Sequence, residues 1–223
     1  MNPYTEGKLL LIDKPAGISS FGVIKHIRDR IKDKYGIKKI KVGHAGTLDP
    51  LATGLLIVCT GKMTKRIHEY QGLPKTYSGI IRLGATTPSY DLETDIDKTY
   101  PFEHITGKMV KDAAREMTGE ILQRPPIYSA IKKKGERMYE KARRGEKTEL
   151  PPRKVHIHSF DITRIQLPDV YFRIECSKGT YIRSVAFDFG EKLHSGAHLA
   201  QLRRDAIGQY HVSDAIGLYD FEP

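Results

Sequence analysis

The chain has 223 residues, 39% of them hydrophobic, which suits one domain with an ordinary core and at most a small appendage. Lysine and arginine number 37 against 27 acidic residues, a formal charge of +10 and a pI near 9.5, which fits a polyanionic partner, although solubility alone also makes proteins basic. Two cysteines, Cys59 and Cys176, are too few for a disulfide framework or a cysteine-built zinc site; no apolar run nears the roughly 18–20 residues of a membrane span, and residues 1–7 lack a signal-peptide pattern.

Residues 7–12 read as a short strand ending in the turn Asp13-Lys14-Pro15-Ala16-Gly17. Ser19 or Ser20 is placed to cap a helix in which Phe21, Ile24, Ile27 and Ile31 recur at helical spacing. Lys38, Lys39 and Lys41 make the approach to the next segment basic. That segment runs Gly43-His44-Ala45-Gly46-Thr47-Leu48-Asp49-Pro50-Leu51-Ala52-Thr53-Gly54, a sharply bent turn feeding the apolar strand 55–59. Asp49 is open to two roles: an ordinary turn former, or a reactive carboxylate framed by apolar residues.

A second helix begins near Met63, and residues 76–83 alternate as a strand with Tyr77 near its start. Residues 86–98 are polar and acidic and read as a loop; they lack the glycine and terminal glutamate of a calcium loop. A helix runs from Thr106 through Met117 and stops at Gly119. Gln123-Arg124-Pro125-Pro126 breaks the chain, and residues 123–150 then crowd Lys132, Lys133, Lys134, Arg137, Lys141, Arg143 and Arg144 around Tyr128 and Tyr139. Cations with interleaved aromatics suit phosphate contact and base stacking; a solvated helix partly paired by Glu136, Glu140 and Glu146 is the plainer alternative. Residues 155–165 and 170–177 read as strands joined by the Pro168-Asp169 turn. Cys59 and Cys176 fall in strand-like runs, as small buried hydrophobes in a reducing cytoplasm. A helix follows Arg183 through Leu193, Gly196-Ala197-His198 forms a turn, and Leu202-Arg203-Arg204 follows.

The segment at Gly43 closely resembles the G-H-x-G-x-L-D-P motif of the TruB family of tRNA pseudouridine synthases. Lys14-Pro15 with Gly17 and Ser19-Ser20 is similar to the family's K-P-x-G-x-S-S element, and Lys75-Thr76-Tyr77 to its K-x-Y motif. Pro126, Tyr128-Ser129-Ala130 and Lys132 resemble its thumb-like RNA-gripping insertion. Cys176 through Arg183, and Gly196-Ala197-His198 with Leu202-Arg203-Arg204, match its later elements in the expected order.

The resemblance implies an α+β fold with a mixed, mostly antiparallel central sheet flanked by helices. The catalytic domain would span residues 1–212, with a thumb-like insertion at about 123–150. Residues 213–223 would form a short tail, too short for the C-terminal PUA domain of many bacterial members. The implied activity is isomerisation of uridine 55 in the TΨC arm of tRNA, after the base is flipped from its stack, with no cofactor and no metal. Asp49 would be the nucleophile at C1′ or the base at C2′, and Arg183 the cation that keeps it charged in a poorly hydrated pocket. Tyr77 would stack on the uracil and take the C5 proton. His44 would hold the opened RNA, Tyr181 and Leu202 would line the pocket, and Lys14 and Pro15 would support the Asp49 loop.

Plainer roles exist for several of these. His44 can be a turn histidine, Tyr77 a core tyrosine, Leu202 core packing, and Arg183 a phosphate clamp or surface charge. The expected partner is the TΨC stem-loop of tRNA, met by a cytoplasmic monomer with no membrane association. Competing classes are a non-catalytic tRNA-binding chaperone and the catalytic subunit of a guide-RNA particle. A pure binder has little use for a carboxylate in a phosphate-rich cleft. A nuclease or phosphotransferase needs clustered metal-binding carboxylates or a phosphate loop ending Gly-Lys-Ser/Thr, and the Gly43 segment has no such ending.

Overall fold

The computed structural model describes residues 2–129, 132–133, 136–138, 144 and 150–223. In chain order the elements are α1 (Pro3–Glu6), β1 (Leu9–Lys14), α2 (Ser20–Tyr35), β2 (Val42–His44), β3 (Thr53–Thr60), a 3-10 turn (Gly61–Arg66), α3 (Ile67–Gly72) and β4 (Lys75–Leu83). Then follow β5 (Ala85–Thr86), β6 (Lys98–Thr99), α4 (Gly107–Glu116), β7 (Gly119–Gln123), β8 (Lys132–Lys133), β9 (Glu136–Arg137), β10 (Arg153–Gln166) and β11 (Asp169–Cys176). The last are α5 (Ile182–Lys192), β12 (Ala197–Ile207), β13 (Tyr210–His211) and β14 (Ile216–Gly217). The fold is mixed α+β with a large, mostly antiparallel sheet flanked by helices.

Residues cluster into two compact units, 1–78 with 202–223, and 79–201. In the first, the strand order is β14-β1-β3-β12-β4, with β2 on β3 and β13 on β12. β1 and β3 are antiparallel, Lys14 opposite Gly54, so Asp13 and Lys14 belong to the strand rather than to the expected turn. β3 is buried along nearly its whole length, which is why it reads as an unbroken apolar run. Ser19 caps α2 by accepting the Gly22 N–H, and Gly36 closes it in the left-handed conformation at φ 60°. Val23, Ile24, Ile27 and Ile31 form its buried stripe. Phe21, expected with them, is 68% exposed; Val23 stands four residues before Ile27 and Phe21 six, which turns Phe21 off the stripe.

Residues 213–223, expected as a tail, are built into this unit. β14 pairs in parallel with β1, and Leu218 and Phe221 join a core that includes Tyr4, Ile12, Ile27, Leu56 and Val58. The helix α1, capped by Asn2, places Tyr4 edge-on against Phe221.

In the second unit the order is β12-β4-β11-β10-β7. β10 and β11 form the long hairpin expected around Pro168-Asp169, and Phe160 packs on Phe172 and on Phe189 of α5. Ala197 and His198, expected in a turn, are instead the buried start of β12. Their neighbours are small for packing reasons: a Cβ on Gly190 would lie 2.5 Å from that of Ala197, and one on Gly196 2.3 Å from the Tyr100 ring. The expected loop 86–98 is mostly irregular, closed at its base by the β5–β6 ladder.

Gly54 sets the approach of β3 to β12. Its φ is +103°, and a Cβ there would lie 2.3 Å from the Arg204 carbonyl oxygen. Gly54→Ala is therefore expected to destabilise the chain by roughly 2–4 kcal/mol, combining backbone strain with overpacking. Urea unfolding reads this directly; an unchanged midpoint would show that the two strands yield.

Candidate active site

β2 and β3 pair antiparallel with His44 opposite Val58, so residues 45–52 form the loop between adjacent strands. The backbone of this loop is held by three side chains from elsewhere in the first unit. Ser20, 2% exposed at the start of α2, accepts the Leu48 N–H at 2.8 Å and donates to the Leu48 carbonyl at 2.9 Å. Lys14, fully buried, donates from Nζ to the carbonyls of Pro15 and Ile18 at 2.8 Å and of Pro50 at 3.2 Å. Arg204, 1% exposed, donates to Leu55 at 2.7 Å, Gly46 at 3.1 Å and Thr47 at 3.5 Å, bridging the entrance and exit of the loop. The Pro50 carbonyl also accepts the Gly17 N–H at 2.8 Å.

Asp49 thus sits between two peptides that are both fixed. Its own carbonyl accepts the Ala52 N–H at 3.1 Å, and its side chain is half-buried. Lys14 and Pro15, expected as supports of this loop, stand at its base. Burial pulls the Lys14 ammonium from 10.5 down to about 8, with the Asp49 charge opposing the fall and Arg204 adding to it.

His44 lies at the loop's entrance. Burial first, then Arg204, push its pKa below the usual 6.5, against the backbone of Gly46, so the ring is neutral at pH 7. Its buried Nδ1 has no hydrogen-bond partner among the described residues. Tyr77 is a buried residue of β4, 8% exposed. Two residues earlier Lys75 donates to the carbonyls of Gln71 and Leu73 at 2.7 and 2.6 Å, closing the end of α3. Leu202 lies on β12, and its carbonyl accepts from Thr53 Oγ1 at 3.4 Å. The same unit holds a hollow of about 290 Å³ lined by Lys39, Lys41, Lys62 and Lys65 among others.

Tyr181 and Arg183 belong to the second unit, at the start of α5. The Arg183 side chain is 4% exposed. It donates to the carbonyls of Ser89 at 3.0 Å and Tyr128 at 2.8 Å and lies 3.6 Å from the Asp91 carboxylate. Asp91, only 5% exposed, is a buried carboxylate within the loop expected at 86–98. Its carboxylate also accepts the Glu93 N–H at 3.0 Å, and its carbonyl accepts from Thr87 and Ser89. The Arg153 guanidinium lies 4.7 Å over the Tyr181 ring and donates to the Gly179 carbonyl.

Of the expected RNA-gripping cations, Lys134, Lys141 and Arg143 lie outside the described residues. Lys132, Lys133 and Arg137 are described for the backbone alone, in the β8–β9 ladder. Arg144 is exposed and pairs with Glu136 at 2.5 Å. Sequence reasoning left Ser20, Arg204, Asp91 and Gln123 without a site role. Ser20 and Arg204 stood within quoted motifs, and the acidic tract around Asp91 was visible, but nothing local marks any of them as buried. Among the described residues no group of three His, Cys, Asp or Glu side chains is placed to hold a metal, and no helix is long and apolar enough to cross a membrane.

Solved structures give the class. The chain matches one from a Cbf5-Nop10-Gar1 complex with a TM-score of 0.70 at 27% identity, covering 97% of this chain and 54% of that one. It matches another from an H/ACA RNP bound to a substrate RNA containing 2′-deoxyuridine, with a TM-score of 0.69 at 25% identity, covering 97% and 52%. The chain thus spans about half the length of those solved chains. The family model described as TruB family pseudouridylate synthase (N terminal domain) matches residues 32–182. A tRNA pseudouridine synthase B of Flavobacterium johnsoniae is 56% identical over 220 residues, covering 98% of this chain and 96% of that protein. One from Phocaeicola vulgatus is 50% identical over 218 residues, covering 98% and 93%. The chain belongs to the TruB family of pseudouridylate synthases.

The Lys14 proton gives the loop a pH signature. The unfolded chain keeps this proton to about 10.5 and the folded chain only to about 8, so between the two the unfolded state binds more protons and stability rises with pH. Relative to Lys14→Met, the native chain is expected to gain up to about 1.4 kcal/mol per pH unit across that window. Unfolding midpoints taken at several pH values check this, and parallel curves for the two proteins contradict it.

Proposed function

We propose that this chain isomerises uridine to pseudouridine in tRNA, at position 55 of the TΨC loop, with Asp49 as the reacting carboxylate. The observation that carries this is the setting of Asp49: a half-buried carboxylate on a loop fixed by Ser20, Lys14 and Arg204, inside the motif Gly-His-Ala-Gly-Thr-Leu-Asp-Pro. Fixed geometry around a reacting group is what a positioned nucleophile or base requires. The near-full-length match to relatives named tRNA pseudouridine synthase B supports tRNA as substrate. The net charge of +10 and the lysine-lined hollow suit a phosphate backbone.

The reaction breaks the bond from C1′ to N1, turns the uracil, joins C1′ to C5, and exchanges the C5 proton for one taken up at N1. Substrate and product hold the same atoms at the same oxidation level, so no co-reactant is consumed. The target base must first leave its stack, at a cost of a few kcal/mol. Asp49 attacks C1′ or removes the C2′ proton. Tyr77 stacks on the flipped base and its hydroxyl receives the C5 proton. His44, neutral at pH 7, holds the opened loop as a hydrogen-bonding and stacking group rather than as a charge. By the family motif, Arg183 supplies the cation for the carboxylate, and Tyr181 and Leu202 the pocket wall. Lys132, Lys133, Lys134, Arg137, Lys141, Arg143 and Arg144 grip the phosphates.

The enzyme acts as a cytoplasmic monomer, a setting supported by the two free, buried cysteines Cys59 and Cys176. A stand-alone enzyme is favoured over a subunit of a larger particle because the near-full-length relatives carry the tRNA synthase name.

Unmodified tRNA transcript is the test substrate. The native chain is expected to form pseudouridine at one uridine of the TΨC loop. Asp49→Asn is expected to form none while binding tRNA as tightly. Product from Asp49→Asn at the native rate removes Asp49 from the chemistry, and tRNA binding without product from the native chain leaves a tRNA-binding protein.

A further inference from the structure

The first turn of α5 carries Arg183, yet its N-cap residue, Tyr181, has no side chain able to cap it and makes no side-chain cap bond. The missing fixation comes from another strand. Gln123, the last residue of β7, is fully buried, and its amide makes both of its matched bonds to one residue. Nε2 donates to the Tyr181 carbonyl at 3.0 Å, and Oε1 accepts the Tyr181 N–H at 2.8 Å. The next residue continues the tie, since Ser184 Oγ donates to the Arg124 carbonyl at 2.8 Å. Arg183 itself reaches the Tyr128 carbonyl at 2.8 Å. Gln123 is also paired across the sheet with Arg153, whose guanidinium covers the Tyr181 ring.

From these contacts we infer that Gln123 is a positioning residue: its two-bond clamp on Tyr181 sets the direction in which α5 presents Arg183 and the Tyr181 ring. Arg124 and Tyr128, which follow Gln123 in the chain, also meet the first turn of α5 through their carbonyls. A glutamine suits the task because it donates and accepts at once and carries no charge into a buried site. This inference rests on the proposed activity.

The test is single-turnover pseudouridine formation on unmodified tRNA transcript, with tRNA affinity measured alongside, for the native chain, Gln123→Leu and Gln123→Glu. Gln123→Leu removes both bonds and is expected to slow the reaction about 100-fold at unchanged tRNA affinity, the scale of a catalytic group displaced by about 1 Å. Gln123→Glu carries a pH signature. Its buried carboxyl, held protonated by desolvation, can still donate to the Tyr181 carbonyl and accept the N–H; once ionised, it repels that carbonyl. Its rate relative to the native chain should therefore fall as pH rises, while the Gln123→Leu ratio stays flat.

Native rates in Gln123→Leu, a loss of affinity matching the loss of rate, or a flat ratio for Gln123→Glu would each overturn the positioning role. If Gln123→Leu does not fold, the pH profile of Gln123→Glu decides alone. Product from the native chain keeps the proposed activity standing whatever the variants do; no product from the native chain removes that activity and this inference with it.

Discussion

A bent loop inside a protein exposes peptide groups that no neighbouring strand can satisfy, and buried unpaired peptide groups are costly. The Asp49 loop meets this constraint with three long-range side chains. Ser20 closes both polar groups of Leu48, Lys14 takes Pro50, and Arg204 spans Gly46, Thr47 and Leu55. Asp49 lies between two peptides whose polar groups are both bonded, so the backbone that carries its carboxylate is fixed on either side. Gly54 follows from the same demand, because β12 must come close enough to bring Arg204 under the loop.

Two buried cations, Lys14 and Arg204, hold the Asp49 loop through its carbonyls. Lys14 gives up part of its proton affinity to burial, and His44 is kept neutral by burial and by Arg204. Positive charge is thereby concentrated on groups whose bonds go to loop carbonyls. The second unit repeats the principle around Arg183, which is held by two carbonyls and the buried Asp91. Removing one partner of such a buried pair strands the other charge, at a typical cost of about 3–5 kcal/mol. Local sequence pattern marks where α5 and the loop fall; distant polar side chains hold them in place.

Much of the fold was legible because it rests on short-range pattern. The apolar run of β3, the stripe of α2 apart from Phe21, a serine at its start, a helix beginning at Thr106, and the hairpin at Pro168 all read directly from residue type and spacing. The motif at Gly43 located the loop, and Lys14 was expected beneath it. Ser20, Arg204, Asp91 and Gln123 were not assigned to the site, since their partners lie 28, 149, 92 and 58 residues away in the pairs Ser20–Leu48, Arg204–Leu55, Asp91–Arg183 and Gln123–Tyr181. Gly196 to His198 looked like a turn because small residues serve turns and close packing alike. Phe21 looked buried because spacing marks a face without fixing its edges.

The bonds from Ser20, Lys14 and Arg204 require the Asp49 loop to be rigid before any RNA arrives. Amide hydrogen exchange at Leu48 in the free protein tests it most directly, because that N–H is bound only through Ser20 Oγ among the described contacts. Protection at Leu48 comparable to that of the β3 amides is expected, lost selectively in Ser20→Ala. Exchange at Leu48 as fast as in an open loop, or protection that survives Ser20→Ala, would contradict it.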